Sequence, residues 1–435
     1  MKSCALPDRQ NKMPGRVSIK MTRLVHRISL STRKTCQCLE TVVMAGLMMV
    51  SALHACAQAS APAPATGPAV SAEEDRPWWR DISTNGYLSL SYTYNVNDPS
   101  PRINQFRVFD FNDDDPQLDV AQLVVQRAIS EPNQFGFRFD LIAGSGVPEV
   151  TAAYGLFRNT HTGIAHHFDI LQMVVSYVVP VGKGLRFDLG KFPTQMGYEV
   201  VGGYDGYSDN FSRGFIVGYG IPGTHTGGKA TYTFNHKITA MVSICNGWDD
   251  FQRLNHAYTI AAQLAFAPAK TFNVSFNFIH GPERRQDTRD QRAAYELVAQ
   301  WKPVSKLTLA GDGLYGHEEN GVALGHDALW KGLAGYAKYS LTSKFSLAFR
   351  GEIFNDGGGT RTGTDQGLQG FTFTPEYDLT AKFSRLNSHF SKADGKFAVR
   401  GEVRLDLSNK NVFLEGSNPT QKQQFTSAVN LIYLF

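Results

Sequence analysis

The sequence predicts an all-β protein, a transmembrane antiparallel β-barrel of about 16 strands with short periplasmic turns and long extracellular loops. Three observations carry that expectation. Segments of roughly ten residues alternate apolar and polar side chains from Thr84 onward, short and long polar connections follow one another without a break, and the chain stops on an alternating strand with an aromatic last residue. Successive side chains of a strand point to opposite faces, so each segment has one apolar and one polar face.

The elements follow in chain order. The 435 residues carry a formal charge of +4, which by itself invites a nucleic acid or an anionic surface as partner. The placement of the charges withdraws the invitation. Nine basic residues (Lys2, Arg9, Lys12, Arg16, Lys20, Arg23, Arg27, Arg33 and Lys34) stand against Asp8 and Glu40 before Ala59. The uncharged, largely apolar residues 41–55 and then Ala57-Gln58-Ala59 complete the layout of a secretory signal peptide. That apolar run is shorter than the roughly 20 residues a spanning helix needs. Met13 and Met21 are alternative starts, and Cys56 after Ala55 offers a lipoprotein alternative that His54 fits poorly. Residues 1–59 are therefore read as signal peptide, 60–83 as a flexible Ala/Pro-rich leader and 84–435 as the barrel. Past Ala59 remain 34 of the 43 basic and 37 of the 39 acidic residues, a balance of −3. No nucleic-acid partner follows from it. Of five cysteines only Cys245 remains, so no internal disulfide holds the exported chain.

The alternation is clearest where one parity is wholly apolar. Leu88, Leu90, Tyr92 and Tyr94 interleave with Tyr87, Ser89, Ser91 and Thr93; Phe135, Phe137, Phe139 and Leu141 interleave with Gly136, Arg138, Asp140 and Ile142. Further on, Phe272, Val274, Phe276 and Phe278 alternate with Asn273, Ser275 and Asn277, and Phe397, Val399, Val403 and Leu405 with Arg400, Glu402, Arg404 and Asp406. Short connections fall at 130–133, 180–184, 235–236, 267–270, 302–305, 341–343 and 386–394. Long ones fall at 97–116, 144–167, 193–225, 246–256, 281–292, 317–327, 355–369 and 409–422.

A soluble sandwich also alternates, and three features argue for lipid instead. Aromatics bound the apolar parity, as Tyr258 and Phe266 do on one strand and Phe272 and Phe278 on the next. Eight residues at about 3.3 Å, tilted by about 40°, span roughly 20 Å, close to the ~25 Å apolar band of a barrel. The polar parity carries charges in mid-strand: Arg138 and Asp140, Arg186 and Asp188, Arg350 and Glu352, then Arg400, Glu402, Arg404 and Asp406. In a barrel these face a wet lumen. Finally, Leu431, Tyr433 and Phe435 alternate back from the end of the chain, resembling the signal that the barrel-assembly machinery recognises. A closed barrel pairs every backbone group at membrane depth without leaving an edge.

Several phrases resemble one family. Ile221-Pro222-Gly223-Thr224-His225-Thr226-Gly227, Asn246-Gly247-Trp248-Asp249, Arg350-Gly351-Glu352-Ile353-Phe354-Asn355-Asp356 and the run from Arg400 to Asn409 are similar to the OmpL-like β-barrel porins of Gram-negative outer membranes. The resemblance extends from about Gly86 to Phe435. It implies an outer-membrane channel for small solutes and carries over no catalytic residue.

Sites of chemistry are few. Gly218, Gly220 and Gly223 match G-x-G-x-x-G by letter, but the chain runs on into a strand, where a dinucleotide site needs a helix. Asp110, Asn112 and Asp114 have the first spacings of a calcium loop, but Asp115 stands where its glycine belongs and Ala121 where its Glu belongs; this reads as a solvated outer loop. His166-His167 and His317-Glu318-Glu319 lack the helical partner of a zinc enzyme, and Cys245 reads as packing. No metal, cofactor or catalytic residue is expected.

The reading is thus a porin, not an enzyme, passing small hydrophilic solutes or ions by diffusion. Arg138, Asp140, Arg186, Asp188, Arg350, Glu352, Arg400, Glu402, Arg404 and Asp406 are its pore-lining candidates. The long connection 193–225, with Glu199, Asp205, Asp209 and Arg213, is the candidate to fold inward and narrow the lumen. The partners expected are outer-membrane lipid and lipopolysaccharide, the assembly machinery and the solutes, with the barrel either a homotrimer or a monomer. A non-transporting adhesin or anchor, and a barrel-embedded hydrolase, are the alternatives.

Overall fold

A computed structural model describes residues 77–146, 150–380 and 395–435. The signal peptide, most of the leader and the short connection expected at 386–394 lie outside these residues. The strands are β1 (Ile82–Asn95), β2 (Asp115–Arg127), β3 (Phe135–Ala143), β4 (Phe168–Val179), β5 (Leu185–Pro193), β6 (Thr224–Asn235), β7 (Ile238–Cys245), β8 (Thr259–Ala269) and β9 (Phe272–Pro282). Then come β10 (Gln291–Val304), β11 (Leu307–Ala323), β12 (His326–Ser340), β13 (Phe345–Gly357), β14 (Gln366–Asp378), β15 (Lys396–Ser408), β16 (Phe413–Glu415), β17 (Asn418–Gln421) and β18 (Gln423–Leu434). All but β16 and β17 form one closed barrel of 16 strands, each hydrogen-bonded to its neighbours, with β18 between β15 and β1. The short β16–β17 hairpin lies within the connection expected at 409–422.

Closure rests on the last strand. Leu90 pairs with Leu431 and Leu88 with Tyr433. The Gly86 amide then donates to the Phe435 carbonyl at 2.8 Å and receives the Phe435 amide on its own carbonyl at 3.1 Å. The Phe435 ring covers Gly86 so closely that a Cβ there would collide with it, and Tyr433 stacks on that ring at 5.5 Å. Glycine is needed at position 86 for this approach.

The two parities separate as the alternation requires. Leu189, Val242, Ile260, Leu297, Leu333 and Ile353 are exposed on the outside, an apolar surface that water would leave uncovered and lipid covers. The inside is no empty tube. Met196, Phe215, Ile216, Trp248, Leu314, Trp330 and Phe354 pack into one apolar cluster within it, and Tyr87, Val108, Phe109, Ile142 and Leu171 into a second. At about 25 cal/mol per Å2 of apolar surface removed from water, two such clusters are a large part of what holds the interior in place.

The expectation for residues 110–114 is corrected. Asp110 and Asp113 are buried, because their loop turns into the barrel: Arg107 bonds both Asp110 and Asp406, while Asp113 accepts the Asn95 amide at 2.6 Å. The residues form a strut between β1 and β15. Among the described residues no group of three metal-ligating side chains gathers.

Candidate functional site

Between β5 and β6 the chain leaves the wall for thirty residues, 194–223. A loop of this length inside a barrel must find partners for its backbone polar groups, since few waters are left to supply them. The charged inward parity supplies them. The amides of Phe211 and Ser212 donate to Glu402 at 2.6 and 2.9 Å, and that of Phe215 to Glu352 at 2.6 Å. The Gly197 amide donates to Glu296 at 2.8 Å and the Tyr198 amide to Asp312 at 3.2 Å. In the other sense, Arg400 donates to the Ser208 carbonyl at 2.7 Å, Arg404 to that of Arg213 at 2.6 Å, and Arg350 to that of Ser212 at 2.6 Å. Trp330 Nε1 donates to the Gly220 carbonyl at 2.9 Å. Glycine permits the closest approach at Gly203, where a Cβ would strike the Tyr87 ring.

The loop tip descends to the short-turn end of the wall. Asp209 pairs with Lys338 at 2.7 Å, Tyr207 donates to Glu376 at 2.9 Å, and Gln300 donates to the Tyr198 hydroxyl at 3.3 Å. Lys338 and Glu376 each stand two residues before the end of β12 and β14. Loop and wall are therefore tied along most of the depth of the barrel.

These contacts divide the ten pore-lining candidates. All ten sit on the inward parity, but Arg350, Glu352, Arg400, Glu402, Arg404 and Asp406 are buried beneath the loops and meet no open lumen. The expectation that these six line a wet channel is corrected: the loop, Arg107, wall neighbours such as Asn430, Thr374 and Thr372, and the six residues themselves surround their charged groups. Arg138 and Arg186 keep contact with open space, the Arg186 side chain being 42% exposed. Asp140 and Asp188 lie buried beside them, accepting Arg138 at 2.7 Å and Arg186 at 2.8 Å. Of the four loop candidates, Glu199 is buried against Arg350, Arg213 donates to the Val200 and Phe211 carbonyls within the loop, and Asp209 holds Lys338. Only Asp205 reaches across to an open part of the wall, gripping Arg138 with both oxygens at 2.6 and 2.8 Å while its side chain stays 63% exposed.

Sequence reasoning missed several members of this arrangement. Glu296 and Asp312 stand alone as mid-strand charges, and the apolar Tyr295 and Leu297 around Glu296 already mark its parity. Lys229, 3.6 Å from Asp188, lies between Gly228 and Ala230, where small neighbours hide the parity. Arg107 carries no strand signal at all.

At the outer mouth the Trp248 amide donates to Glu283 at 2.7 Å and Thr259 donates to the same carboxylate at 2.5 Å. Asp250 is buried alongside. Burial and the neighbouring Glu283 push the Asp250 carboxyl up to about 8, and burial pushes Glu283 up to about 7.

The family model described as "Putative beta-barrel porin-2, OmpL-like" matches residues 81–435. The chain belongs to this porin family. It is an outer-membrane channel protein, and its barrel has the architecture of solved porins. An anion-selective porin from Comamonas acidovorans is 10% identical, covering 81% of this chain and 99% of its own, with a TM-score of 0.51. The channel DcaP of Acinetobacter baumannii is 8% identical over 81% of this chain and 97% of its own, also at 0.51. OprB of Pseudomonas putida is 8% identical over 82% and 94%, at 0.50. At such identities the likeness concerns the fold. No curated protein matches the chain.

Proposed function

We propose that this porin passes small hydrophilic solutes and ions by passive diffusion along the inner face of β3 to β6, and that it performs no catalysis. The observation that supports the route is the division of the wall charges: those of β13 and β15 are consumed by the loop, while Arg138, Arg186, Lys229 and Asp205 keep open space beside them. Two unlike poles result. Arg186 and Lys229 share the single carboxylate of Asp188, which leaves positive charge in excess; Arg138 is shared by Asp140 and Asp205, which leaves negative charge in excess. A solute passing between them meets a transverse field, the ordinary means by which pore charges sort ions and dipoles. The inward loop narrows the passage, so small unit conductance is expected. Lipid and lipopolysaccharide surround the apolar wall, the closing residues Leu431, Tyr433 and Phe435 serve assembly, and the barrel associates as a homotrimer. Single-channel recording of refolded protein in a planar bilayer tests the reading: discrete steps are expected, and their absence leaves the adhesin or anchor alternative.

A further inference from the structure

The inward loop does not fill all of the space it covers. Between its first residues and the wall of β2 to β4 lies a cavity of about 180 Å3, bounded on the loop side by residues of the stretch 193–206. At roughly 30 Å3 for each water in the liquid, that is room for about six waters, or for a solute of about three or four carbons. Asp205, whose side chain is exposed, is one of the lining residues, so the cavity communicates with the passage.

A bulge shapes the wall here. Asp140 of β3 pairs with Gln172 of β4 and the next residue, Leu141, pairs with Ile170, so Leu171 has no partner on β3 and the consecutive residues Leu171 and Gln172 both line the cavity. Regular alternation would send one of the two side chains to the lipid; a bulge re-aims it. The carboxamides then fall into two sets. Gln122 is engaged, donating to Asp140 at 3.1 Å and accepting the Gly203 and Tyr204 amides at 3.0 and 3.1 Å. Gln172 and Gln195 are not: the Gln172 side chain makes no hydrogen bond among the described residues, and both polar atoms of the Gln195 carboxamide are buried without a partner. A buried amide in that condition is unfavourable unless a partner reaches it.

Charge narrows the class of partner. No Lys or Arg lines the cavity, and its carboxylates are already held by guanidinium groups, Asp140 and Asp205 by Arg138 and Glu199 by Arg350. An anion would meet like charge there with no cation to offset it, and a cation would compete with arginine for each carboxylate. Leu171, Met196 and Val201 add buried apolar surface. A carboxamide both donates and accepts, as a hydroxyl does, and apolar side chains suit the carbon chain that carries the hydroxyls.

We propose that the cavity is a binding site for a small neutral polyol on its way through the channel, Gln172 and Gln195 exchanging hydrogen bonds with its hydroxyls and Leu171, Met196 and Val201 lying against its carbons. The proposal rests on the channel reading and adds a substrate class to it. A site on the route makes flux saturate, whereas unaided diffusion stays proportional to concentration.

The test reconstitutes the full chain in proteoliposomes and follows uptake of radiolabelled erythritol, in excess of protein-free vesicles, over a range of concentrations. Single-channel recording of the same preparations reports on the pore itself. Uptake should saturate, unlabelled threitol should compete, and erythronate, the carboxylate counterpart, should not. Gln172→Leu and Gln195→Leu should each raise the half-saturating concentration about tenfold, the worth of about one hydrogen bond, with discrete conductance steps retained. Because the Gln195 carboxamide has no partner in the protein, Gln195→Leu should keep or raise the temperature at which the folded band is lost. Uptake proportional to concentration in a preparation that still shows conductance steps overturns the site and leaves the channel; absence of steps removes the channel, and the site with it. Equal competition by erythronate and threitol, or wild-type saturation in both glutamine variants, also overturns the inference.

Discussion

Arg350 and Arg186 each stand on the inward parity of a strand, two residues before an acid to which each is ion-paired, at 3.1 Å for Glu352 and 2.8 Å for Asp188. The side chain of the first is wholly buried, while 42% of the second is exposed. The local chemistry is the same and the surroundings differ. Around Arg350 the loop 194–223 brings Glu199 and the Ser212 carbonyl, so the guanidinium fastens the loop; around Arg186 the loop is absent and only Ser176 and the acid share it. An Arg-x-acid phrase on a barrel strand thus places charge inside without deciding whether the charge meets solute or backbone.

The contrast is broken most severely by emptying the anchored side. Arg350→Met leaves Glu199 without its buried counter-charge and Glu352 with Arg404 alone, a loss of about 3–5 kcal/mol. The loop should loosen, unit conductance should rise, and the folded band on unheated gels should be lost at a lower temperature; unchanged conductance and unchanged stability would separate the loop from the pore.

On the open side the effect falls on selectivity instead. Arg186→Glu or Lys229→Glu should move the reversal potential toward cations. At about 7 Å in water one unit charge is worth about 0.6 kcal/mol, roughly threefold in permeability ratio per unit of charge changed. Arg400→Lys, which keeps the buried charge, should leave the ratio as it is. A larger shift from Arg400→Lys than from Arg186→Glu would reverse the assignment of the two sides.

Salt sharpens the same comparison. Raising ionic strength to about 1 M shrinks the screening length to about 3 Å. The selectivity of the wild type should fall toward that of free diffusion, while the thermal stability set by the buried Arg350, Arg404 and Glu352 cluster should hardly move. Parallel loss of both would mean that the anchors are wetter than their burial requires.

The smallest effect is expected at the outer mouth. Both Asp250 and Glu283 titrate above the ordinary carboxylate range, so the folded mouth favours their protonated forms. Their contribution is full below the ordinary value near 4 and is lost as pH rises through about 7 and 8. Amides of residues 246–258 should therefore exchange faster at pH 8 than at pH 5 after correction for intrinsic rates, and Asp250→Asn should flatten the difference. An equal pH response in the variant would assign the effect elsewhere.

Much of the architecture is legible in particular residues. Phe135, Phe137 and Phe139 against Arg138 and Asp140 state which face meets lipid, and the terminal Phe435 marks the strand that closes on Gly86. The connection with Glu199, Asp205, Asp209 and Arg213 is equally visible as the longest in the chain. Its partners are not. Gln122, which accepts the Gly203 and Tyr204 amides, reads as one more polar residue of β2, and the strut from Arg107 to Asp406 joins residues 299 apart in sequence.

Strand class, the parity of each strand, the alternation of short and long connections, and the charges that point inward are all readable from the order of residues. These follow from a period of two, which each segment expresses without reference to any other. Which inward charges are buried and which stay open is not readable there. It depends on where a thirty-residue loop comes to rest against the strands, and its resting place is set by the sum of backbone hydrogen bonds and apolar contacts spread over much of the barrel, from Gln122 on β2 to Arg404 on β15.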